Sequence, residues 1–362
     1  MNNITINKTG WKKYKFGEVA IQTREVVDVE NTNLTRYVAG EHMISEDIHL
    51  RKWGNVGDGY LGPAFIRRFS MGDILYGSRR TYLKKVALAD FNGITANTTF
   101  VIKANEELIE PILLVHLMLS DKFTEYSVQN SRGSVNPYIN WKDIADYEFL
   151  LPPKSDQKRL AELLWAADEM IEKEKMELEN ILLIENDFIE SIKTPNNYCT
   201  KSLLGDIITL NYGKALKESE RIAGEYPVIG SAGISGTHTI YSVTGPGIVV
   251  GRKGSAGNVI WCSSNFWPID TAYWVSLNDE TISLFYSYLL LKSLKLENLV
   301  ITTAIPGLNR DDAYEQIVLL PNKEEQEQKV CEYKKIVLVK DKLNEKIIYS
   351  LRLKQELINK IF

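Results

Sequence analysis

The sequence has little that would support a metal site or a cross-linked framework. Of its 362 residues, three are cysteine and four are histidine. Cys199, Cys262 and Cys331 are far apart and odd in number, which excludes a disulfide framework and a Cys-x-x-Cys metal site. The histidines lack the spacing of zinc ligands. We therefore expect no metal site in this chain.

Long hydrophobic runs are also missing. No segment approaches the ~18 consecutive apolar residues of a membrane span, and the first residues lack the apolar stretch of a signal peptide. Hydrophobic residues make up 44% and charged residues 25% of the chain, which is typical of a globular protein. We expect a cytoplasmic protein of two or three domains with no membrane partner.

Loops typical of nucleotide-dependent enzymes are absent too. There is no Walker loop and no glycine-rich cofactor loop. Asn136-Pro137-Tyr138 is similar to part of the Asn-Pro-Pro-Tyr loop of adenine methyltransferases, but it lacks the second proline and is interpreted as a structural turn. We expect no catalytic residue. The sequence GRKGSAG at residues 251–257 suits a nucleotide phosphate or a DNA backbone, since glycine permits close approach.

An internal repeat organises the chain. Residues 139–157 match residues 308–326 at a constant offset of 169. The first stretch ends in LLPPKSDQ (150–157) and the second in LLPNKEEQ (319–326). Pro137 and Pro306 match at the same offset. Weaker matches join residues 73–79 with 247–253 and residues 16–19 with 204–207. A period this long predicts a domain followed by a helix, occurring twice.

A long helix is predicted after each LLP motif. Neither 156–193 nor 325–362 contains glycine or proline, and the first is expected to end at residues 194–197. Apolar residues recur at steps of four and three, which is typical of a coiled-coil seam. The first seam contains Leu160, Leu164, Ala167, Ile171, Glu174, Leu178, Ile181, Glu185, Phe188 and Ile192. The second contains Tyr333, Ile336, Leu343, Ile347, Leu357 and Ile361.

Amphipathic helices of this length, about 55 Å at 1.5 Å per residue, need a surface on which to bury the apolar stripe. We expect the two helices to pack on each other; the alternative is that each lies on its own domain. The predicted organisation is a mixed α/β domain at 1–155, a helix at 156–194, a second mixed domain at 195–321 and a helix at 322–362. Helices are also predicted at 107–126 and 279–296.

The charge is segregated along the chain, although the net charge is only −4. Residues 60–103 carry a local charge of +5, and residues 156–193 a local charge of −6. Basic loops occupy matching positions of the two repeats, which favours DNA contact over a solubilising surface turn. The candidate DNA-binding residues are Arg79, Arg80, Tyr82, Lys84, Lys85, Arg252, Lys253 and Ser255.

Two mixed domains, each ended by LLP-x-K-x-x-Q and a long helix, resemble the specificity subunit of type I restriction–modification systems. The resemblance covers nearly the whole chain. It extends to YPVIGSAG at residues 226–233 and to GRKGSAGNV at residues 251–259, which adds Ser231 and Asn258 as candidate DNA-binding residues. The first repeat departs from it, with Ser78-Arg79-Arg80-Thr81 in place of GRKGS.

The resemblance implies an α+β fold in which two target recognition domains are separated by a pair of long antiparallel coiled-coil helices, with pseudo-twofold symmetry. It implies a non-catalytic subunit that binds double-stranded DNA and reads the two halves of a split target. It further implies two modification subunits, which carry S-adenosylmethionine and methylate adenine, and restriction subunits that use ATP. The strong divergence between the two domain sequences predicts different half-sites and an asymmetric target.

Two other function classes remain open at this point. A stand-alone methyltransferase or nuclease is disfavoured by the missing motifs, and tight binding of S-adenosylmethionine by the chain would support it. The other class is a coiled-coil scaffold or an orphan recognition protein without a role in methylation. A scaffold predicts no salt-dependent affinity for DNA, whereas a phosphate-binding protein weakens steeply with added salt.

Overall fold

The computed structural model describes residues 6–194, 199–300 and 307–362. These residues form two compact units. Unit 1 consists of Met1–Lys175 and Glu345–Phe362, and unit 2 of Met176–Asn344. Each unit combines β-sheets with short helices and with parts of two long helices. None of the helices in the described ranges is both long and apolar enough to cross a lipid bilayer.

Unit 1 is built from short strands that precede most of its helices. The strands are β1 (Lys12–Lys15), β2 (Ala20–Thr23), β3 (Arg36–Val38), β4 (Gly54–Asn55), β5 (Phe65–Phe69), β6 (Ile74–Gly77), β7 (Val86–Leu88), β8 (Gly93–Ala96), β9 (Thr99–Ala104) and β10 (Glu148–Leu151). The helices are α1 (Phe16–Val19), α2 (Pro111–Leu117), α3 (Asp121–Gln129), α4 (Trp141–Ala145) and the long α5 (Lys154–Ser191), of which residues up to 175 belong to this unit.

Unit 2 has a similar order of elements. Its strands are β11 (Cys199–Leu203), β12 (Ile208–Tyr212), β13 (Tyr226–Gly230), β14 (Gly233–His238), β15 (Gly247–Gly251), β16 (Val259–Cys262), β17 (Trp267–Pro268), β18 (Ala272–Leu277) and β19 (Ile317–Pro321). Its helices are α6 (Leu204–Ile207), α7 (Leu284–Leu294), α8 (Arg310–Tyr314) and most of the long α9 (Lys323–Ile361). The 3₁₀ segments of the two units are Val29–Asn31, Thr81–Leu83, Glu218–Glu220 and Leu296–Leu299.

The two units share their sheet topology, which confirms the internal repeat. In unit 1 the order β2-β9-β6-β7 forms an antiparallel sheet, and in unit 2 the order β12-β18-β15-β16 does the same. The first and last strands of each unit also pair, β1 with β10 and β11 with β19. A third sheet completes each unit and contains one parallel pair of strands. Its order is β4-β3-β8-β5 in unit 1 and β14-β13-β17 in unit 2.

The glutamine that ends each LLP-x-K-x-x-Q motif is buried and joins the long helix to the start of a shorter one. Gln157 accepts a hydrogen bond from the amide of Glu110, just before α2, and donates to the carbonyls of Leu108 and Pro152 at 2.9 and 3.0 Å. In unit 2 Gln326 makes the equivalent bonds with the amide of Ser283 and the carbonyl of Pro321. Both glutamines are 2% exposed. The repeated motif therefore has a structural role.

The long helices pair in an antiparallel direction within each unit. In unit 1 Asp168 of α5 contacts Lys354 of α9, and Glu174 contacts Ser350, so that the residue number rises along one helix as it falls along the other. In unit 2 the Phe188 ring lies 6.0 Å from that of Tyr333, while Glu185 bonds Lys340. Helix pairing is therefore confirmed within each unit.

The predicted seam residues face the interior of the helix pair. Those in the buried class are Leu164, Ile171, Ile192, Tyr333, Leu343, Ile347 and Ile361. The half-buried ones are Leu160, Ala167, Leu178, Ile181, Phe188, Ile336 and Leu357. Glu174 and Glu185, the two charged seam positions of α5, are also buried. α5 begins two residues before the predicted start, and residues 195–197 of the predicted end lie outside the described residues.

Two apolar cores account for most of the burial. In unit 1 helices α2 and α3 pack on the β2-β9-β6-β7 sheet with Phe16 and Phe123, whose rings are 5.0 Å apart. The helix predicted at 107–126 is divided, because the Ser120 hydroxyl accepts from the amide of Phe123 and starts a new helix. In unit 2 the predicted helix at 279–296 is observed as α7, which has Ser283 as its N-cap.

Candidate nucleic-acid interface

In unit 2 the GRKGSAG sequence forms a loop that is fixed to two neighbouring segments. The loop leaves β15 at Gly251, and the amides of Arg252 and Lys253 donate to the carbonyl of Thr271 at 2.9 and 3.1 Å. The carbonyl of Arg252 accepts from the amide of Leu308 at 2.9 Å. The Arg252 backbone therefore lies between the start of β18 and the segment that leads into α8.

Two glycines make the loop compact enough to close. A Cβ on Gly251 would lie 2.1 Å from the carbonyl oxygen of Ser255, which no side chain can tolerate. Gly257 has a φ of +84°, and a Cβ there would lie 2.2 Å from the amide nitrogen of Glu297. Only glycine fits both positions without distortion. This explains the glycine spacing of the motif without a nucleotide ligand.

The predicted side chains of this loop have different surroundings. Lys253 and Ser255 are exposed. Asn258 donates through Nδ2 to the carbonyl of Ser231 at 3.0 Å, and Ser231 is only 8% exposed. Ser231 and Asn258 thus hold the loop against the end of β13, while Lys253 and Ser255 face solvent.

Arg252 lies against tyrosines together with a second arginine that sequence reasoning missed. The Cζ atoms of Arg252 and Arg310 lie 4.8 and 5.3 Å from the ring centroid of Tyr212. Nη1 of Arg252 donates to the carbonyl of Asp270 at 3.0 Å. Burial raises the pKa of the adjacent Tyr273 phenol, and the Arg252 charge partly offsets this. Tyr212, Arg252, Tyr273 and Arg310 line a cavity of about 330 Å³.

The corresponding loop of unit 1 is held by the same hydrogen bonds. Ser78 occupies the position of Arg252: its amide donates to the carbonyl of Thr98 at 3.1 Å, and its carbonyl accepts from the amide of Ile139 at 2.9 Å. The next residue, Arg79, pairs with Tyr138 as Lys253 pairs with Gly307. The two basic loops predicted to correspond therefore begin with the same backbone contacts and differ after this point.

Beyond this point the unit 1 loop presents exposed cations. Arg79 and Arg80 are exposed, and Tyr82 is 53% exposed. The Arg80 amide donates to the carbonyl of Pro137 at 2.7 Å, which ties the loop to the Asn136-Pro137-Tyr138 turn. The Asn136-Pro137-Tyr138 sequence thus lies beside the basic loop, and Tyr138 forms β-bridges with Arg79 and Arg132. The exposed Arg132 pairs with Tyr138 and was another residue that sequence reasoning missed.

The two lysines of the unit 1 loop differ from its arginines. Nζ of Lys84 lies 2.6 Å from Asp121 and 3.1 Å from Glu46. Burial alone would lower the pKa of Lys84, but the hydrogen bonds to Asp121 and Glu46 raise it. Lys85 donates to the carbonyl of Gly40, and burial, with the nearby Arg80 charge, lowers its pKa. The charge of Lys84 is therefore already compensated within the unit.

The helix pair has buried polar contacts in each unit. In unit 1 Asp168 bonds Lys354 and His49, with His49 Nε2 at 2.6 Å. In unit 2 Glu185 accepts from the hydroxyl of Tyr333 at 2.8 Å and from Lys340. Such contacts fix the pairing of helices because a buried charge is costly without its partner.

Apolar side chains also project from the outer faces of the long helices. In unit 1 the exposed ones are Leu163, Trp165, Met170, Ile348, Tyr349, Leu351 and Leu353. In unit 2 they are Met176, Leu182, Leu183, Ile184, Leu338 and Val339. These exposed apolar side chains make both long helices candidates for a protein–protein contact. No cluster of three or more potential metal ligands occurs within the described ranges.

Comparison with known proteins identifies the family. The type I restriction modification DNA specificity domain matches residues 8–182 and again residues 198–360. The chain belongs to this family. The two matches follow the internal repeat, and each contains one basic loop and one LLP-x-K-x-x-Q motif.

Two curated relatives are specificity subunits of this family. The chain is 26% identical over 196 residues to the type I restriction enzyme EcoDI specificity subunit of Escherichia coli. The aligned region covers 51% of this chain and 40% of that protein. The chain is 24% identical over 168 residues to the HindI specificity subunit of Haemophilus influenzae, which covers 45% of this chain and 36% of that protein. The matches thus span about two fifths of the length of these relatives.

Solved structures of the family share the fold. A chain from a type I restriction–modification system superimposes with a TM-score of 0.68 at 19% identity, covering 98% of this chain and 97% of that one. The specificity subunit of M. genitalium gives a TM-score of 0.61 at 16% identity, covering 100% and 97%. At these identities the likeness concerns the fold: two mixed domains with a connecting long helix.

Proposed function

We propose that this chain is the non-catalytic DNA sequence-recognition subunit of a type I restriction–modification complex. The observation that carries the proposal is the repeated basic loop. Ser78 and Arg252 are held by the same backbone hydrogen bonds in the two units. Ser78 is followed by the exposed Arg79 and Arg80, and Arg252 by the exposed Lys253. A rigid loop that presents guanidinium and ammonium groups suits contacts with DNA phosphates and guanine edges.

The two units are proposed to read different half-sites of a split, asymmetric target. Their loops begin with the same backbone contacts but carry different side chains. Unit 1 offers Arg79, Arg80 and Tyr82, while unit 2 offers the exposed Lys253 and Ser255 beside Arg252. Because base recognition depends on the donors that reach the groove, these sets favour different sequences. Lys84, Lys85, Ser231, Ser255 and Asn258 remain candidates that contact DNA or support the loops.

The long helices are proposed to set the distance between the half-sites. With α5 and α9 at 38 and 39 residues, a rod of roughly 55 Å follows from 1.5 Å per residue. If the rod is tilted, the half-site centres lie about one to one and a half DNA turns apart, at ~34 Å per turn. Unread spacer bases would lie between them. In this arrangement the recognition domains are 1–155 and 195–321, and the helices 156–194 and 322–362.

The exposed apolar faces of α5 and α9 are proposed to bind the modification subunits. Both units offer such a face, with Trp165 and Tyr349 in unit 1 and Leu183 and Leu338 in unit 2, which favours two copies. The modification subunits would carry S-adenosylmethionine and methylate adenine. Restriction subunits that use ATP would join the same complex. All of these would act on DNA in the cytoplasm.

Salt-dependent binding of duplex DNA tests this proposal. The purified full-length chain, alone and with its modification subunit, is titrated into labelled duplexes at several salt concentrations. We expect affinity to fall steeply with salt, and the Arg252→Ala/Lys253→Ala variant to bind more weakly. Affinity that does not depend on salt, or that is unchanged in the variant, would contradict the proposed role of the loop. Tight S-adenosylmethionine binding by the isolated chain would instead favour a methyltransferase.

A further inference from the structure

We propose that the cavity beside Tyr212 in unit 2 binds one phosphate of the DNA backbone, with Arg252 and Arg310 as its cationic ligands. The inference rests on the proposed function, because it assumes that the unit contacts DNA. It adds a residue, Arg310, and a ligand class, a phosphodiester, to the recognition surface of unit 2.

The geometry brings two guanidinium groups to one aromatic ring. Both Cζ atoms lie within 5.3 Å of the Tyr212 ring centroid, a distance at which cation–π attraction holds an arginine in place. Lys253 lines the same cavity of about 330 Å³ and is exposed. Three cationic side chains therefore line one opening.

These cations have no counter-charge of their own. Among the described residues, no carboxylate oxygen comes within 4.0 Å of a side-chain nitrogen of Arg252, Lys253 or Arg310, although Asp311 also lines the cavity. Nε of Arg310 is buried and has no hydrogen-bond partner in the described part of the chain. A buried N–H without an acceptor is costly, and adjacent like charges repel. An anion in the cavity would offset this repulsion, and an oxygen that reaches Nε would supply the missing acceptor.

Unit 1 shows that the fold itself does not require these cations. At the equivalent positions it has Ser78 in place of Arg252 and Trp141 in place of Arg310. The Ser78 hydroxyl donates to a backbone carbonyl at 2.6 Å, and Trp141 packs edge-on against Phe100 with ring centroids 5.7 Å apart. The same framework thus holds a hydrogen-bonded serine and a packed tryptophan in one unit and two arginines in the other. The cations of unit 2 therefore serve a ligand.

A phosphate suits this site better than a base edge. Reading guanine takes one guanidinium with two free, coplanar donors against a single base edge. Nη1 of Arg252 donates to the carbonyl of Asp270, which leaves Nη2 and Nε of this side chain for a ligand, and Nε of Arg310 lacks an acceptor. Two guanidinium groups that converge on one cavity match the several oxygens of a phosphate. Such a contact fixes the position of the domain on the duplex without reading sequence.

The test uses the full-length chain with Arg310 replaced by Gln, which keeps the side-chain length and removes the charge. Binding to several random-sequence duplexes is measured by fluorescence anisotropy over a range of salt. We expect about tenfold weaker binding on every duplex, and a slope of log K against log salt that is smaller by about one. Arg310→Lys is expected to retain the slope. Lys335→Ala, which removes an exposed lysine of α9, is the matched control and should bind like the wild type.

Several results would overturn the inference. One is an Arg310→Gln variant that binds with the affinity and salt slope of the wild type. Another is a variant whose affinity falls only on duplexes with a particular base pair at one position, which would indicate that Arg310 reads a base. If Arg310→Gln melts early, Arg252→Gln provides the same test from the other side of the cavity. A wild-type chain without salt-dependent binding would overturn the proposed function as well, whereas wild-type binding with unchanged variants would overturn only this site.

Discussion

Lys354 and Asp168 form a buried ion pair between α9 and α5 in unit 1, with side chains that are 7% and 5% exposed. His49, from the segment between β3 and β4, bonds the other carboxylate oxygen at 2.6 Å. Burial alone would raise the pKa of Asp168, but the hydrogen bond from His49 and the Lys354 charge lower it. This network joins both long helices to the β-rich part of the unit.

Removal of Lys354 is expected to destabilise unit 1. Lys354→Ala leaves a buried carboxylate with one partner fewer, and breaking such a pair costs about 3 kcal/mol. The double variant Lys354→Met/Asp168→Leu, which removes both charges, should recover much of this loss. Urea unfolding of the full chain measures both, with Lys342→Ala on the exposed face of α9 as the control. A single variant within about 0.5 kcal/mol of the control would contradict the account.

The contribution of His49 to stability is expected to depend on pH. The hydrogen bond to Asp168 raises the pKa of His49, so the stabilisation is fully present below the unfolded value near ~6.5 and is lost as the pH rises through the folded value. His49→Gln should therefore lower the melting temperature more at about pH 6 than at about pH 9. An equal difference at both pH values, or a larger one at high pH, would show that the charged pair does not form.

Gln157 and Gln326 are expected to be equivalent structural residues. Replacing either by Leu leaves a buried amide and one or more carbonyls unpaired, at a cost of about 2 kcal/mol. Amide exchange should accelerate at the start of α2 in Gln157→Leu and at the start of α7 in Gln326→Leu. Gln328→Leu, at an exposed position of α9, is the control. Unchanged exchange at both helix starts would refute the role assigned to the motif.

Gly251→Ala is expected to distort the recognition loop of unit 2 without unfolding the chain. The added Cβ would meet the carbonyl of Ser255 at 2.1 Å, so the loop must move. DNA affinity should fall at least as far as in Arg252→Ala/Lys253→Ala, while circular dichroism retains its helix signal. Gly40→Ala, where a Cβ meets nothing within 4 Å, is the control. Wild-type affinity in Gly251→Ala would indicate that the loop does not contact DNA.

The sequence was most informative where the chain repeats itself. The LLP-x-K-x-x-Q motif and the seam through Leu164 and Ile171 predicted two domains with paired helices, because both features depend on local spacing. The division of α2 from α3 was missed, since one serine, Ser120, ends one apolar run and caps the next.

The candidate site was less accessible, because its geometry depends on contacts distant in sequence. Lys84 resembles the other basic residues of its loop, but its partner Asp121 is 37 residues away. Arg310 lies in the repeated segment before β19 and was treated as part of the repeat. Its neighbour Tyr212 is about 100 residues away in sequence, and the two meet at a cavity that Tyr273, opposite Tyr212 in the sheet, also lines. A mismatch within the repeat, arginine against Trp141, was the one signal that could have found it.

Methylome sequencing of a host that carries this chain with its modification subunit tests the central claim most directly. The wild type is compared with Arg79→Ala/Arg80→Ala and with Arg252→Ala/Lys253→Ala. In the wild type we predict one split motif with methylated adenine. In the first variant one half of this motif should become degenerate or be lost, and in the second variant the other half. Methylation of the same unsplit motif in all three strains, or its persistence after deletion of this chain, would contradict the account.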